Sequence, residues 1–183
     1  VFSGDEVSTD AILASACLPN LFQAVEIEDP ATGRMEPYWD GGYTGNPALF
    51  PLYQPELPSD VVIVSINPLE RDELPRTPQQ IQNRINEISF NSSLLRELRA
   101  IAFVQRLLAE GRMEAGQMKR VLVHRIADDD LMRQLSVHTK LIPIPQILAK
   151  LKKAGRAAAE RFLEGDAAHI GARSTVDLNE MFG

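Results

Sequence analysis

From Gln79 to Glu110 the chain contains neither glycine nor proline, and this interval is bracketed by Thr77-Pro78 and Gly111. Threonine then proline is how a helix begins: the hydroxyl satisfies an orphan N–H, and proline needs no donor in the first turn. Glycine just past the end stops it. Ile81, Ile85, Ile88, Leu95, Leu98 and Ala102 recur three, four or seven residues apart, which predicts one long helix with an apolar row.

Upstream of this helix, Val61-Val62-Ile63-Val64 is an unbroken β-branched run closed by Pro68. Such a run predicts a strand of a sheet covered on both faces. Val121 to Ile126 predicts a second strand, alternating around Leu122 and His124. Beyond Asp128 the texture predicts a helix around Leu131–Leu135 and another from Pro145 to about Leu163, meeting Gly155 on the way. Toward the start, Ser8-Thr9-Asp10 offers capping side chains to a short helix over 9–17 that Pro19 ends. Phe22, Val25 and Ile27, the turn residues 29–34 and the stretch Met35 to Trp39 predict a hairpin running into Asp40-Gly41-Gly42-Tyr43. Strands interleaved with helices define an α/β chain with a helical end.

Composition narrows the function. Over 183 residues, 19 Lys and Arg against 25 Asp and Glu leave a net charge of −6, which argues against a nucleic-acid binder. With 44% hydrophobic and 24% charged residues the chain can fill a core. No apolar run is long enough to span a bilayer, and a lone Cys17 excludes an internal disulfide framework. The opening Val1-Phe2-Ser3 reads as the continuation of a longer polypeptide.

Ten serines are present and none lies in G-x-S-x-G, so no nucleophile elbow is visible. Glycines form neither G-x-G-x-x-G nor a P-loop, and His124, His138 and His169 lack partners at metal-ligand spacing. Structural or surface roles are expected for the three histidines. Asp128-Asp129-Asp130 suits a hard cation, but acidic residues also favour a helix start. Cys17, without a basic neighbour in sequence, is expected to fill space rather than react.

Asp40-Gly41-Gly42, taken alone, is a turn former. Its surroundings carry more. Ala14-Ser15-Ala16-Cys17-Leu18-Pro19, the hairpin with Tyr38-Trp39, Asp40-Gly41-Gly42-Tyr43 and Asn46-Pro47 resemble, in order and spacing, the second half of the patatin-like phospholipase family. Val61 to Pro68 and Arg84 to Asn91 extend the likeness to a bacterial branch with an additional helical C-terminal region. The family's glycine-rich oxyanion loop and G-x-S-x-G serine have no counterpart in these residues.

The resemblance implies part of a three-layer α/β sandwich over residues 1–127 and a helical extension over 128–183. It also implies lipid acyl-ester hydrolysis by a Ser-Asp dyad. Asp40 would be the general base to a serine outside this chain, Gly41 and Gly42 would let the backbone turn and the serine approach, and Trp39 and Tyr43 would dehydrate the carboxylate. No metal or cofactor is needed, and these residues alone should be inactive. Leu18, Phe22, Leu49 and Phe50 are groove candidates that serve equally well as core residues. The implied location is cytoplasmic, with peripheral membrane contact and homo-oligomers as the partners to consider. Lys150, Lys152, Lys153, Arg156 and Arg161 either meet anionic headgroups or solubilise their helix. A sheet lacking its upstream strands should expose apolar surface and an unpaired edge. The competing reading is a non-catalytic module in which helices 77–111 and 145–163 form a docking or dimer interface.

Overall fold

Ser8 is extended, and its Oγ accepts the Ala11 N–H at 3.1 Å, which starts helix α1 (Thr9–Ser15). These contacts come from a computed structural model that describes residues 2–19, 21–114, 116–135 and 144–182. The next elements, β1 (Val25–Glu28) and β2 (Met35–Tyr38), pair antiparallel with Val25 opposite Tyr38. Asp29 organises the turn between them. Its Oδ1 accepts the N–H groups of Ala31 and Thr32, and its second oxygen accepts the Tyr38 hydroxyl. Gly33 supplies the left-handed residue at φ +65°. This hairpin and α1 belong to a compact unit, Val1–Pro47.

The second unit, Ala48–Gly183, is built on a parallel pair. Strand β3 (Asp60–Ser65) and strand β4 (Leu122–Ala127) run in register from Asp60 opposite Leu122 to Ser65 opposite Ala127. The crossover between them is helix α2 (Pro78–Ala109). A capping box starts it: Thr77 Oγ1 accepts the Gln80 N–H, and Gln80 returns a bond to the Thr77 N–H. Val61, Ile63, Val121 and Val123 pack with Leu94, Leu98 and Ile101 of α2 and with Leu49 and Leu178. Helices α3 (Asp129–Gln134), α4 (Pro145–Glu164) and α5 (Leu178–Phe182) also belong to this unit, and α4 runs unbroken through Gly155. The chain is thus mixed α/β, with one antiparallel and one parallel two-stranded sheet among the described residues.

Two expectations need correction. The β-branched run of β3 is covered on one face only: Val61 and Ile63 are buried, whereas Val62 and Val64 are 42% and 68% exposed. The run reports β propensity, and whether the second face is covered depends on a layer supplied from elsewhere. Strand β4 does have both faces covered, with Val123 against the core and His124 under Phe162 of α4. In α2 the buried row is Glu87, Asn91, Leu94, Leu98 and Ile101, while Ile81, Ile85 and Ile88 are about half exposed. Polar residues hold the inner face at the N-terminal end because they have partners. Arg71 makes two bonds to Glu87 at 2.6 and 3.0 Å, and Asn91 Nδ2 donates to the Pro68 carbonyl at 2.8 Å.

The sheet's two margins differ. At β4, Val123 N donates to Ser174 Oγ, and Val123 O accepts the Thr175 and Val176 N–H groups, so a C-terminal segment occupies that margin. At β3, the inward-facing residues bond β4, and the outward main-chain groups of Val62 and Val64 have no ladder partner among the described residues. The expected exposed apolar surface is therefore present. No helix among the described residues is long and apolar enough to cross a membrane.

Candidate functional site

In the first unit, Asp40 sits two residues beyond the end of β2 and caps a short 3-10 turn, Gly41–Tyr43. Its Oδ1 accepts the Gly42 N–H at 2.7 Å. Its own N–H donates to the Cys17 carbonyl at 2.9 Å, which draws the Ala14–Pro19 segment alongside the Asp-Gly-Gly turn. The carboxylate is half-buried. Trp39 and Tyr43 are 49% and 46% exposed, so each leaves about half its surface to solvent, and the Trp39 Nε1–H donates to the Phe22 carbonyl. A Cβ built on Gly41 would meet no atom within 4 Å, which leaves the space beside Asp40 open on that side.

Cys17 is buried and its thiol donates to the Gln23 carbonyl at 3.0 Å, a space-filling role. Of the groove candidates, Leu49 lies in the core of the second unit, Leu18 is half-buried, and Phe22 and Phe50 are exposed.

The acidic triplet is spent on local structure. Asp128 caps α3 by accepting the Leu131 N–H, Asp129 holds Arg125 in a two-bond pair at 2.7 and 3.0 Å, and Asp130 lies 3.5 Å from Arg133. Among the described residues no group of three or more His, Cys, Asp and Glu is arranged to hold a metal ion. His169 contacts Arg173, and His138 lies outside the described residues. The basic side chains of α4 are exposed, away from the buried Ala158 and Phe162.

His124 is the residue whose surroundings the sequence conceals. Its ring is fully buried, with Nε2 2.9 Å from Asp60 Oδ1 and Nδ1 3.2 Å from Thr175 Oγ1. The Gly171 N–H also donates to Asp60 Oδ1, at 2.8 Å. That N–H holds the Asp60 carboxyl below its ordinary range against the opposing pull of burial, and the histidine adds to it. Asp, His and Thr in a row suggest a catalytic relay, but a ring with no exposed surface reaches no substrate. The cluster ties the C-terminal segment to the sheet. Its members are 64 and 51 residues apart, so no local pattern announces it.

At the C-terminal ends of β3 and β4 a cavity of about 370 Å³ has Ile63, Leu94 and Leu98 as apolar walls and Ser65, Arg125 and Asp129 as its polar part. Open parallel sheets bind ligands at this end. Here the guanidinium is already engaged by Asp129 and by Ser65 Oγ at 3.0 Å. No protein-family model, curated protein or solved structure matches the chain.

Proposed function

We propose that this chain is the C-terminal portion of a patatin-like serine acyl hydrolase, with Asp40 as general base to a serine contributed from outside residues 1–183. The observation that carries the reading is the Asp40 N–H to Cys17 carbonyl bond at 2.9 Å, which joins the two motifs of the resemblance. In the family pattern the small-residue segment ending in Pro19 leads to the Asp-Gly-Gly motif whose aspartate is half of the dyad. Here they are neighbours in space as well as in motif order.

The mechanism assigns each residue a task. A serine hydroxyl becomes an effective nucleophile when a positioned base takes its proton during attack on the ester carbonyl, a contribution of about 10²–10⁴-fold. In a dyad without histidine that base is the carboxylate. Attack forms the C–O bond of a tetrahedral intermediate, and its collapse expels the alcohol, which receives the proton. Water then hydrolyses the acyl-serine by the same route. The Gly42 N–H bond to Oδ1 fixes the carboxylate's direction, and the open side at Gly41 is where a nucleophile elbow has room to approach. The oxyanion donors, like the serine, come from outside these residues. The partial three-layer sandwich belongs to the same proposal, the parallel pair β3–β4 being its central portion.

Comparison of the complete protein with its Asp40→Asn variant on a chromogenic acyl ester tests this. Turnover should drop by at least about 10²-fold with the fold intact. Retention of most activity would remove Asp40 from the chemistry. A non-catalytic helical module is the second reading, favoured by the half-exposed row Ile81, Ile85 and Ile88 on α2. It predicts that Asp40→Asn changes nothing measurable, while charged substitutions in that row abolish association.

A further inference from the structure

We infer that the groove between the C-terminal half of α2 and α5 is a docking surface for anionic phospholipid headgroups at a membrane. The groove has a volume of about 500 Å³ and is lined by Arg96, Arg99, Phe103, Arg106, Leu178 and Phe182. Arg96, Arg99, Phe103 and Arg106 follow a three, four, three spacing, which puts them on one helical stripe.

Three guanidiniums on one stripe are unusual in a chain with net charge −6. Among the described residues none of the three lies within ion-pair distance of a carboxylate. The one acidic residue within this stretch of α2, Glu97, turns away and accepts the Tyr53 hydroxyl at 2.6 Å. Aromatic rings support two of the cations: Arg99 stands 5.4 Å from the Phe182 ring centroid, and Arg106 stands 5.6 Å from that of Phe103. Phe103 is half exposed at the centre of the stripe. Guanidiniums that can meet phosphates, around an aromatic side chain that can enter the acyl boundary, match the chemistry of a bilayer interface.

The span fits as well. Ten residues of helix separate Arg96 from Arg106, about 15 Å, so the charges form a row along a surface rather than converging on one small anion. Glu110, one turn past Arg106, pairs with Arg112 at 3.3 Å, whereas on α4 Glu160 and Glu164 share the helix side of Arg156 and Lys153 with no ion pair to another residue among the described ones, which makes α4 the poorer surface. The choice of lipid over an acidic protein as occupant rests on the acyl-hydrolase reading.

Co-sedimentation of the 183-residue chain with vesicles tests the proposal. Binding should occur with vesicles of phosphatidylcholine and phosphatidylglycerol, be absent with phosphatidylcholine alone, and vanish near 1 M salt, where charges are screened within about 3 Å. Arg96→Gln and Arg106→Gln should each weaken binding about five-fold. Arg96 makes no ion pair to lose among the described residues, so its variant should fold. Phe103→Ala should weaken binding without altering its salt dependence. Equal binding to neutral vesicles, binding that only the combined Lys152→Gln, Lys153→Gln and Arg156→Gln variant removes, or no binding at all would overturn the proposal. Asp40→Asn should bind vesicles unchanged, so loss of the hydrolase reading and loss of this surface give different results.

Discussion

Asp60 shows how one carboxylate can link three segments. With the Gly171 N–H on its Oδ1 and His124 behind, its proton is held less readily in the folded chain than in the unfolded one. The stabilisation is complete above the unfolded pKa of about 3.9 and is lost as pH falls through the lower folded value. Asp60→Asn should therefore lower the urea midpoint at neutral pH by the equivalent of about 2 kcal/mol. The gap from the parent should close as pH drops below about 4. A gap that persists unchanged to about pH 2 would show that the charge is irrelevant.

Glu87 makes the complementary case. Burial alone would raise its carboxyl, yet Arg71 and then Arg84 outweigh burial and hold it below its ordinary range. Arg71→Ala should cost about 3 kcal/mol in denaturant unfolding, because a buried carboxylate loses its main partner. Arg71→Ala and Glu87→Gln combined should cost less than the sum of the two. At this scale the turn at Asp40 was legible, since Asp-Gly-Gly is contiguous and Asp40 caps it. The sequence concealed Asp60 and Glu87, whose partners lie across strand pairing and a loop that no local spacing encodes.

The long helix α2 was legible because its signals are local: a Thr-Pro start, a glycine stop and nothing between to break it. Thr77→Ala should remove about 1 kcal/mol, read as a lower urea midpoint. In α4, Gly155 occupies an unbroken helix and a Cβ there would meet nothing within 4 Å. Gly155→Ala should accordingly raise stability by about 0.5–1 kcal/mol, measured the same way. What the helix text could not disclose is which side faces inward. The isoleucine row of α2 follows helical spacing as well as the true inner row does, and the choice is made by Arg71 and Pro68 reaching Glu87 and Asn91. The strands repeat the lesson, because β-branched residues specify extension without specifying cover, and Val62 and Val64 consequently face outward.

For the whole molecule, the bare face of β3 is the dominant surface hazard. Contiguous exposed Val62, Val64 and Ile66 beside an open margin favour association of the isolated chain. Light scattering should detect oligomers that grow with concentration. Val64→Lys should shift the mass toward the monomer while leaving the unfolding free energy within about 0.5 kcal/mol of the parent. A monomer at every concentration before any substitution would show that this face is innocuous.

The Ser174 to Val176 segment gives the parallel pair a direction. By occupying both main-chain groups of Val123, it acts as an end stop on one flank. A strand recruited later, whether from the same polypeptide or another, meets open main-chain groups next to β3, where Val62 and Val64 have no ladder partner among the described residues, so that flank is the one that favours enlargement of this sheet.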